Sequence, residues 1–224
     1  TAGSGVTNAP VVGLAMFRPV LADPLARRLL LIALLNAAPV AVSSTLFLFF
    51  VESRLAAPGA EGPLLLLFFL SAAAAAPVWS RAAARFGAKR CLLAAMVLAI
   101  AAFSWAVALR EGDVLAFAVI CAASGAALGA DLTLLPAMFA RRLAHLGQGA
   151  GAAFGLWSFV SKLSLAIAAA TLLPTLSRAG FTPGAANPAD ALFALSLLYA
   201  AVPCGLKVLA MALLATTPIP EETP

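Results

Sequence analysis

The chain has 224 residues, of which 63% are hydrophobic and only 10% are charged, whereas soluble domains carry roughly 45–50% and 25%. A water-soluble fold of this length could not bury so much apolar surface. The net charge of +5 does not indicate a nucleic-acid partner, because the Lys and Arg residues lie in short segments between apolar runs and form no basic face.

Residues 1–28 precede the first apolar run and are predicted to be a flexible, basic cytoplasmic lead segment. Residues 1–10 are small and lack the features of a signal peptide. Residues 11–28 carry three arginines and are broken by Pro19 and Pro24, which favours a short segment at the membrane surface. Because the chain starts with Thr, we expect its start to be an internal point of a longer polypeptide or a trimmed end.

Six apolar runs of spanning length follow, since a spanning helix needs about 20 residues. We predict spans near residues 29–51, 63–79, 91–109, 114–139, 152–173 and 191–214. The link from Pro174 to Asp190 is expected to be irregular, and kinks are predicted where proline lies inside a span, at Pro39, Pro77, Pro136 and Pro203. The predicted fold is an all-α membrane domain over residues 29–214, followed by a cytoplasmic tail at 215–224.

The basic residues predict the orientation of these spans. Three lie on one side of the membrane, at Arg54, Arg110 and Arg178. Nine lie on the other, at Arg18, Arg27, Arg28, Arg81, Arg85, Lys89, Arg90, Arg141 and Arg142. By the positive-inside rule, both termini are cytoplasmic.

The sequence offers no pattern for a metal site or for catalysis. Cys91, Cys121 and Cys204 are far apart, and His145 has no nearby Cys or His partner. The cysteines are interpreted as small packing residues and His145 as a solvated loop residue. We therefore expect no metal, no cofactor and no enzymatic activity.

The segment from Trp79 to Arg90 resembles a cytoplasmic loop motif of the major facilitator superfamily. It supplies an arginine, a glycine and paired basic residues, and the motif residues are Arg81, Arg85, Gly87, Lys89 and Arg90. In that family the glycine permits a tight turn, and the basic side chains cap helix C-termini and gate the inner face. The alternative is ordinary positive-inside charge.

Two further stretches, GAALGADLTLLPAM and AAFGLWSFVSKLSLAIAAATLLP, resemble the fourth and fifth spans of the C-terminal half in the melibiose permease branch. That branch contains the glycoside/pentoside/hexuronide:cation symporters. The resemblance implies a six-helix half of a major facilitator fold, in which a second, N-terminal half is the partner and the solute binds between them. One departure is that Arg141 and Ala144 stand where relatives usually carry acids, so gating or coupling at the inner face is expected to differ.

Lys162 lies near the middle of its span, where an ionisable group costs about 2.5–3.5 kcal/mol on insertion scales. We expect it to face the bundle interior or a watered cavity, with Ser158 and Ser161 on or near the same helix face. In the resembling family the lysine at this position is implicated in coupling the cation and sugar sites. The alternative is a snorkelling or internally paired structural lysine.

Four further residues in the spans are candidates for the solute and ion pathway or for its support. Asp131 could neutralise Lys162 or Lys207 across a helix interface, either as a structural ion pair or in transport. Lys207 is expected to snorkel to the cytoplasmic interface. Asn36 and Trp157 could bind a polyol by hydrogen bonding and stacking, or could simply pack between helices.

Two GxxxG patterns, Gly125 with Gly129 and Gly151 with Gly155, predict close helix packing. The leading function is symport of a sugar or sugar acid with Na⁺ or H⁺ by alternating access, in a bacterial inner membrane. The alternatives are a lipid or drug carrier of the same superfamily and a non-transporting membrane subunit.

Overall fold

The computed structural model describes residues 18–147 and 150–219, and over these ranges the chain is helical without strands. The six longer helices are apolar and long enough to cross a membrane, which confirms the predicted fold class. The helices are α1 Arg18–Ala22, α2 Pro24–Phe49, α3 Glu61–Phe86, α4 Ala88–Ala106, α5 Val114–His145, α6 Ala150–Arg178 and α7 Ala189–Thr216. A π-helical turn, Phe50–Arg54, continues α2.

The lead segment and the tail lie partly outside the described residues, at 1–17 and 220–224. The described part of the lead segment forms α1 and the first turn of α2. The carboxylate of Asp23 caps α2 by accepting a hydrogen bond from the Ala26 backbone N–H at 2.7 Å, and Pro24 occupies the first helical position.

Several helices are longer than the apolar runs that predict them. Helix α3 continues through the basic segment to Phe86, and α6 passes through Pro174 to Arg178. The predicted irregular link is therefore wrong over residues 174–178, although it holds for the turn and coil that follow. A helix can project beyond the hydrocarbon layer, where polar residues are tolerated, so hydropathy locates the bilayer and not the helix ends.

Helices α3 and α5 are in backbone contact through two glycines. A Cβ atom built at Gly125 would lie 2.2 Å from the Phe68 carbonyl oxygen, and one at Gly129 would lie 2.6 Å from that of Ala72. The packing prediction is therefore confirmed for this pair. It is wrong for Gly155, where a Cβ atom would meet nothing within 4 Å.

Burial is uneven around the bundle. Only 11% of the spanning window of α3 and 17% of that of α6 are buried, compared with 56% for α2 and for α5. Helices α2 and α5 thus form the centre of the described bundle, whereas α3 and α6 each leave most of their surface uncovered.

Candidate transport cavity

A cavity of about 350 Å³ lies between α2, α5 and α6. Its lining includes four of the predicted site residues, Asn36, Asp131, Trp157 and Ser161. The rest of the wall is apolar apart from Ser44. Asn36 and Ser161, which are 125 positions apart in the sequence, therefore line the same space.

The polar side chains of this cavity differ in how many of their hydrogen-bonding atoms already have partners. The Ser161 hydroxyl donates to the Trp157 carbonyl oxygen at 3.1 Å, so its oxygen lone pairs remain able to accept. The Trp157 ring packs against Phe139 with a centroid distance of 5.3 Å. Trp157 therefore serves helix packing and also offers part of its ring to the cavity.

A buried ion pair joins Asp131, which lines the cavity, to Lys207 on α7. The Lys207 ammonium donates to Asp131 Oδ2 at 2.5 Å and to Asn36 Oδ1 at 2.6 Å. The three residues are 3%, 8% and 4% exposed, respectively. They come from α7, α5 and α2, so the pair joins three helices through charge-assisted hydrogen bonds.

The expectation that Lys207 snorkels to the interface is wrong. Helix α7 packs against both α2 and α4, and Lys207 lies on this inward face, where its ammonium meets Asp131 before it could reach water. Of the two partners considered for Asp131, Lys207 is the one observed. An acid and two lysines within the spans already indicate a buried ion pair. Helix pitch alone does not show which of the two lysines pairs with Asp131.

One oxygen of Asp131 remains available. Asp131 Oδ1 is buried and has no hydrogen-bond partner within the described residues. Buried acceptors are rarely left unpaired. Asp131 borders this cavity and also a smaller one of about 20 Å³, which Ser43, Ser124 and Lys207 help to line.

Lys162 and Ser158 do not line the cavity. Both are exposed on α6, and Lys162 has no hydrogen-bond or ion-pair partner in the part of the chain that the structure describes. Lys162 therefore does not face the interior of this bundle, and the alternative expectation, a watered cavity, stays a prediction. Helix α6 packs on α2 through another face, where the Ser164 hydroxyl donates to the Leu34 carbonyl oxygen at 3.3 Å.

The residues of the predicted gating motif lie on helices instead of a loop. Only Gly87, with φ +86° and ψ 141°, separates α3 from α4, and this backbone conformation favours glycine. The Lys89 ammonium donates to the Ala215 and Thr217 carbonyl oxygens at 2.9 and 2.8 Å. Lys89 thus caps the C-terminus of α7, while the remaining basic residues of the motif, Arg81, Arg85 and Arg90, are exposed.

A second ion pair, between Asp23 and Arg142, joins the start of α2 to the end of α5. Arg142 Nε donates to Asp23 Oδ1 at 3.0 Å. The hydrogen bond from Arg142 holds the pKa of the Asp23 carboxyl below its usual value. Sequence reasoning missed this pair, although Asp23 before Pro24 is a recognisable helix cap. Arg141, the departure from the family pattern, is exposed beside it.

Within the described ranges, no group of three or more His, Cys, Asp or Glu side chains comes together. The side chains around the cavity offer hydrogen bonding, stacking and charge pairing. Six apolar helices, three of which enclose a partly polar cavity beside a buried charge pair, define a helical membrane protein.

The family model for the MFS/sugar transport protein family matches residues 7–221. The chain therefore belongs to this family of the major facilitator superfamily, which consists of transporters and not of enzymes. A comparison with curated proteins finds no match. The chain is thus an integral membrane protein of transporter type.

Proposed function

We propose that this chain is the C-terminal half of a secondary transporter that carries a sugar-like solute together with Na⁺ or H⁺ by alternating access. The observation that carries the proposal is the cavity in which Asn36, Asp131, Trp157 and Ser161 meet. The family match supports transport, and the cavity supplies the place where a solute would bind.

The chemistry of the cavity suits a neutral polyol. Ser161 can accept hydrogen bonds from hydroxyl groups, and the indole of Trp157 offers an apolar face for sugar C–H groups. Lys207 already neutralises Asp131, so the described lining carries no net charge. Within this lining a carboxylate would meet no free cation, so recognition of a sugar acid would depend on Lys162, which lies outside the lining.

A second six-helix half would cover the exposed sides of α3 and α6. Lys162 would then lie between the halves, which is where the solute binds in the superfamily. The low burial of these two helices in the present bundle and the unpaired ammonium of Lys162 support this arrangement.

The test is uptake of radiolabelled neutral sugars and sugar acids into liposomes under an imposed Na⁺ or H⁺ gradient. We expect no accumulation by this chain alone and accumulation when it is co-expressed with an N-terminal half.

Trp157→Ala should raise the apparent KM for the sugar at least about fivefold, because loss of one stacking contact is worth about 1 kcal/mol or more. Trp105→Ala is the matched control, because Trp105 is 49% exposed on α4, away from the cavity.

The outcomes separate the competing functions. Robust accumulation by this chain alone would indicate a small carrier that works as a homodimer. Absence of flux with a preserved complex would indicate a non-transporting subunit. The mostly apolar wall of the cavity favours a lipid or drug carrier as the second candidate, which flux of an amphiphile without flux of any sugar would establish.

A further inference from the structure

The ammonium of Lys207 occupies a position suited to a metal cation. Its two partners, Asp131 Oδ2 and Asn36 Oδ1, are carboxylate and amide oxygens, the ligand types that hard cations take in proteins. They come from different helices and converge on one point in the buried part of the bundle. The amine of α7 thus completes an oxygen-lined site.

The neighbouring cavity of about 20 Å³ adds room and further acceptors. It can hold about one water-sized particle. Ser43 donates its hydroxyl hydrogen to the Pro39 and Val40 carbonyl oxygens, and Ser124 donates to that of Ile120. Both hydroxyl oxygens therefore keep lone pairs that can face a cation.

The local charge is balanced with Lys207 in place. Asp131 and Lys207 form a neutral pair, and a second cation at Asp131 would meet the ammonium at close range in a low-dielectric interior. Such like-charge contact is strongly unfavourable. Removal of the ammonium would leave Asp131 as a buried, unpaired anion with an empty space beside it.

We propose that Asp131 and Asn36 form a latent Na⁺ site, and that the ammonium of Lys207 permanently occupies the position that the Na⁺ ion would take. No mobile cation binds Asp131 while Lys207 is present. This inference deepens the proposed function. It rests on that function in one respect only, because a transporter that couples to a cation must then hold the coupling ion with groups other than Asp131.

The test compares thermal unfolding of the full chain in NaCl and in choline chloride of equal concentration. Lys207→Met removes the ammonium and keeps an unbranched side chain. We expect NaCl to raise the unfolding midpoint of Lys207→Met by about 3–5 °C at a sodium concentration about ten times the Kd. Lys207→Met/Asp131→Asn is the matched control and should show no such sodium-specific rise.

A second comparison decides the question even if Lys207→Met does not fold. Because Lys207→Met/Asp131→Asn removes both charges together, it leaves no unpaired ion. If Lys207→Met does not fold, the proposal requires the wild type and this double variant to respond equally to sodium. A response of the wild type that the double variant loses, or a folded Lys207→Met without a sodium response, would overturn it. Since the assay contains no sugar, its result is independent of whether the chain transports one.

Discussion

The two lysines within the spans have opposite surroundings. Lys207 is 3% exposed and makes hydrogen bonds to two side chains, whereas Lys162 is exposed and unpaired in the described chain. A buried, paired lysine supports the structure, and removal of one member of such a pair costs about 3–5 kcal/mol. Lys162, which is exposed at membrane depth, makes no such stabilising contact in the described bundle. Its ammonium is therefore available to contact a partner half or a solute.

Lys162→Met should abolish gradient-coupled uptake by the complete transporter while membrane abundance stays nearly unchanged. The reason is that this substitution removes a charge at membrane depth without breaking a contact in the described bundle. Uptake of labelled sugar and quantitative immunoblotting of membranes measure the two effects. Ser104→Ala, which changes an exposed polar side chain on α4, serves as the control, and normal coupled uptake by Lys162→Met would remove the assigned role.

Asp23→Asn should lower the unfolding midpoint of the chain near neutral pH. The difference in midpoint between this variant and the wild type should disappear in acid. The asparagine can still accept the hydrogen bond from the Ala26 N–H, but it loses the ion pair with Arg142. Since the folded pKa of Asp23 is lowered, the pair contributes fully above the unfolded carboxyl pKa of about 3.9 and is lost as the pH falls through the folded value. Unfolding midpoints from pH 7 to pH 3 test this.

The control for that series is Asp190→Asn, at the start of α7, because Asp190 is exposed. The gap between the wild type and Asp23→Asn should close as the pH is lowered, whereas Asp190→Asn should stay close to the wild type throughout. A gap that persists unchanged at the lowest pH would show that the ion pair is not its cause.

At the scale of helices, the contact between α3 and α5 is the tightest constraint in the described bundle. The carbonyl oxygens of Phe68 and Ala72 occupy the space that a side chain at Gly125 or Gly129 would need. Backbone atoms cannot move aside as a flexible side chain can, so these helices must shift as a unit in any conformational change.

Gly125→Ala should destabilise the chain by at least about 1–3 kcal/mol, because the added methyl group forces α3 and α5 apart. Gly155→Ala places the same methyl group on a helix surface where nothing lies within 4 Å. We expect that variant to unfold at or slightly above the temperature of the wild type. Thermal unfolding in detergent gives both values, and equal midpoints for the two variants would contradict the close contact.

The sequence predicts the helices well and their side-chain partners poorly. Six spans follow from run length, because a bilayer requires a minimum apolar length. The ends of α3 and α6 do not follow from the length of the apolar runs, because these helices continue into the aqueous layer. The cavity residues Asn36, Asp131 and Trp157 stand out as polar or aromatic groups within spans, but whether a lysine faces inward depends on helix rotation, which an almost uniformly apolar sequence does not encode.

At the scale of the whole molecule, charge is distributed very unevenly between the two ends of the bundle. One end carries eight basic side chains on its long helices, Arg27, Arg28, Arg81, Arg85, Lys89, Arg90, Arg141 and Arg142. The acids Glu52, Glu61, Glu111, Asp113 and Asp190 lie at or near the opposite helix ends. This asymmetry predicts that the basic end is cytoplasmic.

Cysteine labelling of intact cells tests that orientation. In a background without native cysteines, single cysteines at Ala57 and Thr182 should react with an impermeant maleimide from outside, because both positions lie in links between helices at the acidic end. A cysteine at Ala83, on the basic part of α3, should react only after the membrane is opened. The reverse pattern would invert the topology.

The pairing of Asp131 with Lys207 also has a consequence for biogenesis, because 76 residues separate the two partners. During synthesis α5 reaches the translocon well before α7, so Asp131 enters the bilayer without its counter-ion, at a cost of about 2.5–3.5 kcal/mol. A chain truncated after Asn187 should therefore be retained by the insertion machinery or degraded faster than the full chain, and Asp131→Asn should lengthen its half-life in a pulse–chase experiment. Arrival of α7 would then act as the step that releases the bundle from quality control.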